Sequence, residues 1–133
     1  MITVQTAIDQ HGPVEAVQHV LAEYFDAIYE ADPARIAAIF HSEAVYATAD
    51  ETPLLHRNLP TYLAVMEARE SPQSRGEARK DIIDSIEFAG ENTARAQVRC
   101  SIGKTDHVDF LTLVRDEGRW QIIAKVFQII PGS

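Results

Sequence analysis

The sequence predicts an α+β fold, with helices from its first half packed on an antiparallel sheet built by its second half. Three observations carry that expectation. Apolar residues recur at three- and four-residue steps from Val14 to Ile28. They alternate with polar residues from Ala94 to Ile102. Turn-forming groups at Gly90-Glu91-Asn92, Gly103-Lys104 and Asp116-Glu117-Gly118 then divide the second half into strands of hairpin length. At 133 residues, a single domain spanning 1–133 around one core is expected.

Taken in order, Val14, Val17, Leu21, Tyr24, Phe25 and Ile28 form one apolar stripe of a long helix, with Glu15, Glu23, Asp26 and Glu30 on its other side. Gly12-Pro13 suits its start, because proline at the first helical position gives up a donor that would be unpaired anyway. Asp32 can cap, and Pro33 open, a short second helix whose apolar edge is Ile36, Ile39 and Phe40. Residues 44–48 and 53–56 read as short strands around Asp50-Glu51-Thr52. Asn58 caps a third helix, with Pro60 in its first turn and Tyr62, Leu63 and Met66 facing inward. After a polar loop over 71–80, Ile82, Ile86 and Phe88 start a four-strand antiparallel meander that continues through 94–102, 105–115 and 119–130. Pro131-Gly132 ends it.

Composition narrows the function. The chain carries 20 acidic and 12 basic residues, a net charge of −8, which speaks against nucleic acid because phosphate neutralisation needs clustered Lys and Arg. All of that excess lies in residues 1–70, where 11 acids face Arg35, Arg57 and Arg69; residues 71–133 hold nine of each sign. No apolar run approaches the ~20 residues of a membrane helix. The start, Met1-Ile2-Thr3-Val4-Gln5, lacks the cationic and apolar regions of a secretory signal. A single cysteine, Cys100, cannot form an internal disulfide and suits a reducing cytoplasm; among alanines and valine it reads as a small buried hydrophobe. The five histidines, His11, His19, His41, His56 and His107, show no helical metal-pair spacing, so no metal is expected. Nucleophile elbow, phosphate loop and dinucleotide glycine motifs are all missing, which leaves no cofactor to expect.

The last hairpin carries the candidate chemistry. With a three-residue loop at Asp116-Glu117-Gly118, Arg115 faces Arg119 and Asp109 lies directly opposite Lys125. One face then holds Val108, Phe110, Thr112, Val114, Trp120, Ile122, Ala124 and Val126, suited to core or interface. The other holds His107, Asp109, Leu111, Leu113, Gln121, Ile123, Lys125 and Phe127, apolar walls with a few polar groups, as in a small-molecule pocket. A loop one residue shorter or longer would put Asp109 and Lys125 on opposite faces. Asp109 can serve as an acid or base whose charge state Lys125 holds, or the two form a register-fixing ion pair that contributes a few tenths to ~1 kcal/mol. Tyr24, Phe25, Tyr62 and Phe127 can line a site for an aromatic ligand or simply fill the core.

The stretch from His107 to Val114, followed by Asp116-Glu117-Gly118-Arg119-Trp120 and on to Phe127, resembles the C-terminal end of the nuclear transport factor 2-like superfamily. Within it the sequence is most similar to the subfamily labelled putative lumazine-binding, related to the polyketide cyclase-like proteins. The strand at Ala94-Arg95-Ala96-Gln97-Val98, the segment 59–67 and the order of elements agree, so the resemblance spans about Val14 to Phe127. It implies a cone-shaped fold with a strongly curved sheet around a long helix, an open-ended cavity and usually a homodimer formed through the sheet. Related ketosteroid isomerases place an acid near the position of Asp109 and a catalytic base on the first short strand. Here that strand, Ala44-Val45-Tyr46-Ala47-Thr48, has no carboxylate, and Asp50 comes two residues late. Related dehydratases use cavity histidines with an acid and tyrosines, which points to His56, His107, Asp109, Tyr46 and Tyr62.

The expected function is binding of a small apolar or aromatic molecule in the cavity, with Tyr24, Tyr46, Tyr62, Lys125 and Phe127 as ligand-binding candidates. The alternative is a cofactor-free isomerase, dehydratase or cyclase, a lyase or isomerase using Asp109 with His107 or His56. A non-catalytic dimeric association module is the third reading.

Overall fold

A computed structural model describes residues 12–102 and 105–131. His11, Lys104 and the Gly103-Lys104 turn lie outside the described residues. Helix α1 (Pro13–Glu30) begins on Pro13 and buries Val17, Val20, Leu21, Tyr24, Phe25, Ala27 and Ile28. Helix α2 (Pro33–Ile39) is capped by Asp32, whose carboxylate accepts from the backbone N–H of Ala34 at 3.0 Å and of Arg35 at 3.3 Å. Helix α3 (Leu59–Ala68) is capped by Asn58, which accepts from the Thr61 N–H at 3.0 Å; Tyr62 and Met66 are buried and Leu63 half-buried.

Six strands, β1 (Phe40–Thr48), β2 (Leu55–Asn58), β3 (Ile82–Ala89), β4 (Thr93–Ile102), β5 (Thr105–Asp116) and β6 (Arg119–Pro131), form one sheet in the order β2-β1-β6-β5-β4-β3. The sheet is curved and unclosed, and its last four strands are the expected antiparallel meander. Two features differ from the sequence expectation. Phe40 is not the end of α2 but the first residue of β1, because pairing with Ile122 of β6 draws the chain into extended conformation four residues before position 44. That pairing is parallel, a long-range contact that local patterns cannot carry. Likewise β2 runs over Leu55–Asn58 rather than 53–56, where it pairs antiparallel with β1.

The β5–β6 hairpin corrects the expected register. Asp116 pairs with Arg119, so the turn has two central residues, Glu117 and Gly118, at φ +52° and +77°. Positive φ at both is the type I′ geometry whose twist matches a hairpin. Between Ile122 and Ala124 the register slips again, leaving Ile123 as one extra residue on β6. Lys125 therefore pairs with Leu111 and Asp109 with Phe127, so Asp109 and Lys125 are diagonal neighbours rather than directly opposed. The two single-residue shifts add, and both side chains stay on the inner face.

The same slip changes the facing of the hairpin's first part. Trp120 and Ile122, expected beside Phe110 and Val126, are buried with Leu111 and Leu113. Phe110 and Val126 instead stand 60% and 50% exposed on the outer face. Across β4 the expected alternation holds, with Ala94, Ala96, Val98 and Cys100 buried. The core thus lies between the inner face of the sheet and the three helices.

Glutamate at φ +52° is strained, whereas asparagine tolerates the left-handed region. Glu117→Asn is therefore expected to stabilise the protein by about 0.5 kcal/mol, read as a higher urea midpoint. A lower midpoint would count against the two-residue turn.

Candidate functional site

Asp109, on β5, and Lys125, on β6, are both enclosed, at 0% and 3% exposure, on the inner face beneath α1. Their separation is 3.9 Å, from Lys125 Nζ to Asp109 Oδ2. The apolar stripe of α1 delivers Tyr24 to the same point, and its hydroxyl donates to Asp109 Oδ2 at 2.5 Å. That is the short range of charge-assisted O–H···O bonds. From β4, the Cys100 thiol lies 3.8 Å from the same oxygen. Three groups thus converge on Oδ2, while Oδ1 is buried with no hydrogen-bond partner.

The Lys125 ammonium sits among aromatic rings. Its Nζ is 5.0 Å from the centroid of Tyr24, 5.2 Å from Tyr46, 5.3 Å from Phe127 and 5.5 Å from Tyr62. Such distances allow cation–π attraction. Its hydrogen bond is long, 3.5 Å to the Tyr62 hydroxyl, and an ammonium has three donors to satisfy. The rings also pack on one another, Tyr46 against Tyr62 at 4.4 Å and against Phe127 at 4.9 Å. Beyond Phe127, the half-buried His107 ring stacks on it at 5.7 Å, and its Nε2 lies 3.2 Å from Thr105 Oγ1.

Electrostatics fix the protonation states of most of this cluster. Burial alone would push the Lys125 ammonium down, but the Tyr62 oxygen and the Asp109 carboxylate outweigh it and hold it above the ordinary lysine range. Burial, then the Asp109 charge, raises the Tyr24 phenol well above its usual value, so Tyr24 remains a donor. Burial also raises the Tyr62 phenol, against the opposing charge of Lys125. The Cys100 thiol is pushed up to about 12 by burial and by Asp109, which leaves it unreactive as a nucleophile at neutral pH. His107 is shifted the other way: burial, then the charge of Lys125, lowers it and keeps the imidazole neutral.

Of the residues singled out in the sequence, the fold gathers Asp109, Lys125, Tyr24, Tyr46, Tyr62 and Phe127, with His107 at the edge. His56 stands apart. It pairs with Ala47 and is exposed, one residue out of phase with the inward Tyr46–Arg57 pair. Asp50 is elsewhere too, its carboxylate accepting from the Ile129 N–H at 2.8 Å. Arg57 was not anticipated: its guanidinium carbon lies 5.3 Å from the Tyr46 ring, and the alternation of β2 was the only signal for it. No group of three or more His, Cys, Asp or Glu able to hold a metal occurs among the described residues, nor is any described helix long and apolar enough to cross a membrane.

Comparison with known proteins places this architecture. Residues 13–128 match the model of the Putative lumazine-binding family, and the chain belongs to that family. Among solved structures it is similar to an NTF2-like protein of unknown function from Shewanella baltica OS155, with 22% identity, TM-score 0.80, and coverage of 96% of this chain and 99% of that one. A second NTF2-like protein of unknown function, from Silicibacter pomeroyi DSS-3, shows 24% identity and TM-score 0.77 over 87% of this chain and 94% of its own. A ketosteroid isomerase-like protein from Erwinia carotovora atroseptica SCRI1043 shares the fold at 12% identity and TM-score 0.72, over 90% and 98%. At these identities the likeness concerns the fold, which is NTF2-like. None of the curated proteins matches the chain.

Two outcomes follow from the geometry. Lys125→Met strands a buried carboxylate and is expected to cost about 3 kcal/mol or more in urea denaturation, with Asp109→Leu/Lys125→Met costing clearly less than the two singles added. Additive costs would show that the pair is not coupled. For His107, the folded value lies below the ordinary 6.5, so as pH falls the unfolded chain takes up the proton first. Its contribution to stability is full above 6.5 and is lost as pH falls through the folded value. The urea midpoint should therefore drop between pH 7 and pH 5, and His107→Gln should flatten part of that drop.

Proposed function

We propose that this member of the Putative lumazine-binding family binds a small, largely aromatic molecule on the inner face of its sheet, beside Asp109 and Lys125. One observation carries the reading: Asp109 Oδ1 is buried without a donor while the neighbouring ammonium has a single long hydrogen bond. Buried polar groups are normally satisfied, because leaving one unpaired costs about 1–3 kcal/mol. A ligand hydroxyl that donates to Asp109 Oδ1 and accepts from Lys125 Nζ supplies what both lack. The rings of Tyr24, Tyr46, Tyr62 and Phe127 surround the ammonium, an environment that favours an aromatic ligand body.

The same oxygen supports a second reading, cofactor-free proton transfer. Asp109 Oδ1 has a free lone pair to take a proton from bound substrate and return it at another atom, as isomerisation requires. The Tyr24 phenol and the Lys125 ammonium would stabilise the negative charge that develops. The outer face has its own partner in this proposal, a second copy of the chain, supported by the exposed Phe110 and Val126 at its centre. A cytoplasmic location fits the lone buried Cys100.

Native mass spectrometry on the purified protein tests binding. The expected result is a dimer carrying a stoichiometric small mass that is released on denaturation and absent from Asp109→Asn. A small mass retained equally by Asp109→Asn would move the site away from Asp109. For the catalytic reading, the expected signature is a bell-shaped pH–rate profile abolished by the same substitution.

A further inference from the structure

We infer that the molecule bound at this inner-face site carries an anionic group, a carboxylate in its simplest form, that docks on Arg57 and Arg69. The inference rests on the binding site proposed above and names the class of its ligand.

The argument starts from how the other arginines are used. In a chain with 20 acids to 12 bases, carboxylates are plentiful, and Arg35, Arg75, Arg79, Arg95, Arg99 and Arg115 each meet at least one. Arg119 instead donates to the Ala38 carbonyl at 3.1 Å. The guanidinium groups of Arg57 and Arg69 have no ion pair or hydrogen bond among the described residues, although both residues are half-buried. A half-buried arginine fork without a carboxylate partner is suited to receive one from a ligand.

Their placement relates them to the inner-face site. Strand register puts Arg57, Tyr46 and Lys125 side by side on β2, β1 and β6, with Leu111, Ala96 and Ile86 continuing the row. One row of the inner face therefore runs from a guanidinium, across a tyrosine ring and an ammonium, into apolar surface. Arg57 and Lys125 approach the same Tyr46 ring, at 5.3 Å and 5.2 Å. Arg69, the C-cap of α3, follows the buried Met66 by three residues and Tyr62 by seven, the spacing of one helix face, and its charge acts on both the Tyr62 hydroxyl and the His107 ring. Arg57 thus borders the aromatic cluster at Tyr46, and Arg69 lies at the end of the helix that carries Tyr62. Asp109 is committed to the interior by Tyr24 and Lys125. A ligand with a hydroxyl at one end, a flat apolar body and a carboxylate at the other matches this sequence of groups.

The test compares 4-hydroxybenzoate and 4-hydroxycinnamate with their neutral amides, by calorimetric titration at 50 mM and 300 mM salt. At least one carboxylate is expected to bind about tenfold tighter than its amide at low salt, with the margin shrinking at high salt. Arg57→Gln/Arg69→Gln should erase that margin by weakening the acid about tenfold more than the amide, while Asp109→Asn should weaken acid and amide alike. Thermal melting of the double variant establishes that it is folded. Equal binding of acid and amide, both sensitive to Asp109→Asn, would overturn the anionic class and leave the inner-face site standing. Binding of neither form by wild type would overturn both.

Discussion

Lys125 faces the interior because β6 carries one residue more than β5 between Ile122 and Ala124. Without Ile123 as the extra residue, the strict alternation of the strand would send the ammonium to the outer face and a valine inward. The inward facing of both Lys125 and Phe127 depends on that slip. It lets Trp120 and Ile122 near the turn, and Lys125 and Phe127 further along, all point at the helices, although the first two are even-numbered and the others odd. Parallel pairing with β1 then places Tyr46 beside Lys125, and the α1 stripe brings Tyr24 onto Asp109.

The buried pair at the centre is not self-supporting. Two unit charges 3.9 Å apart attract by about 4 kcal/mol at an effective dielectric of ~20, whereas removing each ion from water costs several kcal/mol. The difference has to come from neighbours. Tyr24 supplies a short charge-assisted hydrogen bond to the carboxylate, and four ring faces supply cation–π attraction to the ammonium. This accounts for the rings gathered around Lys125. An imbalance remains: among the described residues Asp109 Oδ1 has no hydrogen-bond partner, and the ammonium has one long hydrogen bond. The surface pairs belong to another regime. Arg35 among Glu23, Asp26, Glu30 and Asp32 is well solvated, and each such contact contributes under about 1 kcal/mol.

The two faces of the sheet consequently differ in kind. Inside, polarity is sparse, enclosed and tied to rings; outside, Phe110 and Val126 present apolar surface bordered by charged pairs such as Glu87–Arg95 and Asp84–Arg99. A curved sheet makes this division natural, since only its concave side can be covered by three helices.

Local patterns determined most of the elements. The Val17–Ile28 stripe, the caps at Asp32 and Asn58 and the alternation of β4 are encoded within a few residues of where they act, so they could be read directly. The inward tyrosines were also legible from their apolar surroundings, whereas the meeting of Asp109 with Lys125, expected from a three-residue loop, comes instead from two one-residue shifts that add. Tertiary structure alone decided the register. The two-residue turn and the extra Ile123 each shift the pairing by one, and neither leaves a mark in the hydrophobic pattern, since Ile122, Ile123 and Ala124 are apolar on either face. The extended conformation of Phe40, the parallel β1–β6 pairing and the inward turn of Arg57 depend on contacts between residues far apart in sequence, such as Phe40 with Ile122. Such contacts are chosen by the free energy of the whole packed sheet, which no short window of sequence contains.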